Sequence, residues 1–70
     1  MTLPSSAYLR ALIATIDGHP GAPRAIRNEC HRLMQAIDGN NVEQIRLSVA
    51  RIEELAAEAS LVLPDAAAHD

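Results

Sequence analysis

Cys30 and His31 are neighbours, with Glu29 beside them and His19 a short way upstream, so a thiol, two imidazoles and a carboxylate are close together in the chain. Those groups are the raw material of a zinc site or an activated nucleophile. The spacing does not serve either chemistry. Adjacent residues on a helix diverge by about 100°, which sends Cys30 into an apolar row and His31 outward, and neither has a second ligand one turn away. A reactive cysteine also needs a base and a partly open pocket, which so short a helical chain offers little room to build. Cys30 therefore reads as a small buried core residue. No catalytic residue, metal or cofactor is expected.

A second set, Arg24, Arg27 and His31, falls within about 60° on one helical face, with Asn28 and Gln35 alongside. The two arginines stand in the first turns, where positive charge opposes the helix dipole, so a partner's carboxylates or phosphates are one explanation. Solvated side chains paired with Glu53, Glu54 or Glu58 of the following helix are the plainer one. Leu47 sits among Arg51, Glu54 and Glu58, at an angle that leaves it in water unless another surface covers it. Tyr8 is the only aromatic residue; it reads as a core-edge residue with its hydroxyl in water and, if exposed, as an anchor for a partner. Tyr8, Arg24, Arg27, His31 and Leu47 are the partner-binding candidates.

The elements that would hold these residues follow from apolar periodicity. Ile26, Cys30, Leu33 and Ile37 recur at gaps of four and three, and Val42, Ile45, Val49, Ile52, Ala56 and Ala59 continue the rhythm beyond a polar break, Asp38-Gly39-Asn40-Asn41. The spacing predicts an all-α fold: a helical hairpin with helices at about 23–38 and 41–61, preceded by a short helix at about 6–17, paired into a dimeric helical bundle. Tyr8, Leu9, Leu12, Ile13 and Ile16 fall on one arc of the first helix. Ser5 or Ser6 caps its start, Gly18 in a left-handed conformation closes it, and Pro20 blocks continuation. Pro23 suits the first position of the second helix, Gly39 ends it, and Asn40 with Glu43 forms a capping-box-like start to the third. Leu61, Val62 and Leu63 either tuck against Tyr8 and Leu12 or face a partner. The chain reads as a single domain, 1–70, with 64–70 as a disordered tail.

Composition narrows the function classes. Seventy residues allow one small domain, which buries roughly 60% of its unfolded surface and is marginal without support. One cysteine excludes an internal disulfide, and a core without Phe or Trp is thin, so a second copy is the expected support. The net charge of −3 argues against binding held by nucleic-acid phosphates. The N-terminal stretch lacks the basic start of a signal peptide, and Arg10 interrupts its apolar run, so no membrane association and a cytoplasmic location are expected.

These features favour a non-enzymatic interaction module, a homodimer that binds and inhibits or sequesters a larger protein such as a regulator or a secretion or motor component. In length and in its Ala-rich helical pattern the chain resembles in outline the small co-chaperones of bacterial type III secretion needles, which implies a co-chaperone as one alternative. A helix-turn-helix regulator, with Arg24, Arg27 and His31 facing DNA, is the other. In the seam reading, Ile45→Asp or Ile52→Asp abolishes folding or pairing while Arg27→Ala leaves helicity intact. A soluble, fully helical Ile52→Asp protein of unchanged solution mass would overturn the seam.

Overall fold

The computed structural model describes residues 4–64. Within them the chain is all-helical, with three helices and no strand: α1 (Ser6–Asp17), α2 (Arg24–Asp38) and α3 (Val42–Glu58). The expected tail at 64–70 lies outside the described residues except for Pro64, which is half-buried.

Each start has a local cause. Ser5 accepts the Tyr8 amide through its hydroxyl at 3.1 Å and caps α1. α2 begins at Arg24, one residue later than expected, with Pro23 at the cap position; the Pro23 carbonyl accepts the amides of Ile26 and Arg27, both at 3.1 Å. Asn41 rather than Asn40 caps α3, its side chain accepting the Gln44 amide at 3.2 Å, so the cap and its third-position partner both move one residue along.

The helix ends differ from expectation. Gly18 and Gly39 have φ of −84° and −87°, ordinary values for any residue. The left-handed positions belong to Asn40 (φ 54°), one residue past Gly39, and Ser60 (φ 56°), one residue past the Ala59 cap of α3. Each anchors the same closure. Asn41 and Leu61 donate back to Ala36 and Ala56, both at 2.8 Å, while Asn40 and Ser60 donate to Ile37 and Ala57. This is the Schellman arrangement, which satisfies carbonyls that a helix end leaves open. Asn tolerates the left-handed region better than Ser because its short amide bonds locally. α3 accordingly stops at Glu58 rather than near 61.

The core is one cluster built around α2, whose backbone lies close to both α1 and α3. Leu12 and Ile16 of α1, Ile26 and Leu33 of α2 and Ile52 of α3 are its fully buried large aliphatics. Burying such a side chain contributes about 1.5–3 kcal/mol. Tyr8, Cys30, Ile45, Val49 and Ala56 complete much of the interior; of the three apolar residues that follow α3, Leu61 and Leu63 pack at its edge while Val62 is exposed, so the trio divides between the two expectations.

Three seam positions depart from the expected row. Ile37 and Val42 keep 38% and 46% of their surface exposed, and Ala59 is exposed too. At that end of the α2–α3 pair Ala36 takes the interior position, and Ile37, about 100° round the helix from it, is left at the edge. Ser48, between Ile45 and Ile52, is fully buried in its place on the seam of α3.

Because Asn40 holds the strained left-handed position, Asn40→Gly is expected to raise stability by about 0.5 kcal/mol. Gly39→Ala is expected to fold normally, since its added Cβ would meet only the Gln35 carbonyl oxygen, at 3.4 Å. Urea melts of both variants check this.

Candidate functional site

The five candidate contact residues do not form one surface. Tyr8 is not a core-edge residue with a wet hydroxyl: it is 3% exposed, and its hydroxyl donates to Glu53 Oε2 at 2.9 Å. This bond carries α1 across to α3, and it engages Glu53, one of the three carboxylates expected to meet an arginine of α2. Burial removes Tyr8 as an anchor for a partner.

Arg27 is also committed internally. Its Nε donates to the Ala22 carbonyl at 3.2 Å and its Nη2 to the His19 carbonyl at 2.7 Å, so it clamps the connector between α1 and α2. A planar guanidinium can reach two carbonyls at once. That work accounts for a positive charge in the first turn of α2 without any outside anion. Arg24 and His31 remain exposed on the outward face of α2, and Leu47 is 56% exposed on the polar face of α3.

The ion pairs run within helices. Arg32 meets Glu29 at 3.5 Å, Arg46 meets Glu43 at 2.8 Å and Arg51 meets Glu54 at 3.1 Å, each at a spacing of three. Exposed pairs of this type contribute about 0–1 kcal/mol. The expected pairing of Arg24 and Arg27 with the glutamates of α3 is not among them: Glu54 pairs with Arg51 of its own helix, and Arg27 binds connector carbonyls.

Sequence reasoning missed two buried polar residues. Glu29 is 8% exposed, with the Arg32 guanidinium closing over it, and Ser48 accepts a hydrogen bond from Gln44 Nε2 at 2.9 Å. The signal was present, since Glu29 lies three residues past Ile26 and four before Leu33, on the side that both bury.

Cys30 is buried, as expected, and lines a pocket of about 80 Å³ with Ile13, Ile16, Asp17, Arg27 and His31. Burial pushes its thiol pKa up, and the Asp17 carboxylate pushes it further the same way. The pocket is well below the ~300–1,000 Å³ of typical small-molecule sites. Among the described residues no group of three His, Cys, Asp or Glu is placed to hold a metal ion. A larger furrow of about 490 Å³ runs past Arg32, Gln35, Asn41 and Gln44, offering amides and a guanidinium but no nucleophile.

The most distinctive surface is apolar. Met34, Ile37 and Val42 are 47%, 38% and 46% exposed. Ile37 lies two turns beyond Cys30 on α2, and Val42 three turns before Glu53 on α3, so both lie on the side that α1 covers further along. Among the described residues no helix is long and apolar enough to cross a membrane. Compared with family models, with curated proteins and with solved structures, the chain matches none of them.

Tyr8→Phe is expected to lower stability by about 1–2 kcal/mol through loss of a bond to a carboxylate. Arg27→Ala should keep the helix content and lower the melting temperature, and Arg27→Lys should not rescue it, because an ammonium cannot form the same fork. Circular dichroism melts test both. The raised thiol pKa means that the folded state holds its proton more tightly, so the Cys30 contribution is full below the free-thiol pKa and is lost as pH rises through the folded value. Alkylation at pH 8 should accordingly be slow in the folded protein and fast in denaturant.

Proposed function

We propose that this chain is a non-enzymatic protein–protein interaction module that works as a small homodimer, with α2 and α3 as an antiparallel hairpin, and that it acts by binding and inhibiting or sequestering a larger protein. The observation that carries this reading is the bare apolar patch of Met34, Ile37 and Val42 beside a core made of Leu, Ile and Ala. Three large apolar side chains grouped at one end of a chain this small are a liability in water unless something covers them. The position of Ile37 and Val42 on the periodic rows that also build the core supports a helical partner, because a row of this kind is read by another helix.

The binding reading is further supported by the pockets: the one beside the thiol is small for a substrate, at about 80 Å³, and the larger furrow beside the amides carries no nucleophile. The DNA-binding alternative loses support, since Arg27 is held by the connector and only Arg24 and His31 of that stripe face outward. A cytoplasmic site of action is part of the proposal.

Solution mass across a dilution series, with helicity recorded at each concentration, tests self-association. The expected result is a species of about twice 7.5 kDa that dissociates at low concentration. A fully helical monomer at every concentration would refute the homodimer.

A further inference from the structure

The bare patch sits next to α1 on the same side of the α2–α3 pair. α1 stands on one stretch of that side, tied down by Tyr8 to Glu53 and by Ile16 beside Cys30, and the adjacent stretch carries Met34, Ile37 and Val42 with nothing described above them. Among the described residues the profile is a step, with α1 as the riser and the apolar patch as the tread. We propose, resting on the homodimer reading above, that the tread receives helix α1 of a second copy, and that the exchange is reciprocal in a closed twofold pair.

Charge is the first argument for that occupant. Arg10 lies on the outer face of α1, between the exposed Ala7 and Ala14, and among the described residues it has no ion partner. Asp38 stands one residue past Ile37 at the edge of the patch. It too lacks an ion partner among the described residues, and it opposes the dipole at the C-terminus of its own helix. Two copies laid face to face, each reversed end for end, bring each α1 over the other's patch. Arg10 of one copy then approaches Asp38 of the other, twice by symmetry.

The composition of α1 agrees. It buries Tyr8, Leu12 and Ile16, half-buries Leu9 and Ile13, and carries only Arg10 as a charge before its terminal Asp17. A helix with so little charge on its outer side suits an interior position better than a solvent boundary. Area is the second argument. A helix of 12 residues is about 18 Å long. Covered along one side, it removes roughly 300 Å² from each of two facing surfaces, and two such contacts give on the order of 1,200 Å², the lower bound for a stable specific interface.

Sedimentation equilibrium on the full chain tests this, with circular dichroism confirming that each variant is helical. Ile37→Glu places a charge at an already exposed position, so it should fold, and it should weaken pairing at least tenfold. Arg10→Asp and Asp38→Arg should each weaken it about threefold or more, and the double reversal should restore the wild-type constant. Leu47→Glu, on the other face, should change nothing. Dimers that survive Ile37→Glu, or that Leu47→Glu breaks, would overturn the assigned surface while leaving self-association intact. Failure of the double reversal to restore pairing would overturn α1 as the occupant. A wild-type chain that stays monomeric at millimolar concentration would remove the homodimer reading and this one with it.

Discussion

Everything in this molecule depends on α2 having two covered sides. Ile26 and Leu33 are fully buried, Glu29 and Ala36 extend the buried arc on one flank, and Cys30 extends it on the other, where Ile13 and Ile16 of α1 border the same pocket. An arc that wide exceeds what one neighbouring helix can cover. α2 must therefore be shared between α3 and α1, which makes it the element whose backbone lies near both. α1 reaches α3 by side chain instead, and the long phenol of Tyr8 spans the gap to Glu53. A shorter residue at position 8 could not make that crossing.

The charged residues follow from the same economy of space. With the inter-helix surface occupied by Leu, Ile, Val and Ala, arginines and glutamates are left to pair along their own helices, at three-residue spacing. Arg27 binds backbone instead. Its head donates to two connector carbonyls, those of Ala22 and His19, so a charge that looks misplaced against the dipole is offset by charge-assisted bonds to the backbone.

The helices were legible in the chain because apolar period, capping residues and prolines agreed with one another, and the observed boundaries lie within about three residues of those read from the pattern. The left-handed positions were not legible, because glycine was assumed to take them. Yet Gly39 stays in an ordinary conformation and Asn40, next to it, bends instead. The contact surface was least legible. A row of gaps of three and four says which residues share a face but not where along the helix a third element stops. Ile37 and Val42 satisfy the row as well as Ile26 and Ile52 do, and they differ only in lying beyond the stretch that α1 reaches. Arg27 and Tyr8 were misplaced for the same reason: their partners, two connector carbonyls and a glutamate 45 residues away, are tertiary facts.

The mismatch between a 12-residue α1 and the longer α2 and α3 has a thermodynamic consequence. A longer first helix, or a single Phe or Trp in it, could close the patch within one chain and make stability a property of the monomer. With α1 as it is, Met34, Ile37 and Val42 stay exposed among the described residues, and in the proposed reading a partner supplies the apolar surface that covers them. Whatever supplies it binds the folded state and not the unfolded one, so stability becomes a function of partner concentration. For a self-pairing module the partner is the chain itself, and the fraction folded then rises with its own abundance. In the interlocked arrangement proposed for α1, dissociation uncovers the patch and the outer face of α1 together, so the surface offered to a larger protein and the surface used for pairing are the same. Self-association and capture of a target are then competing outcomes of one interface, and their balance is set by concentration.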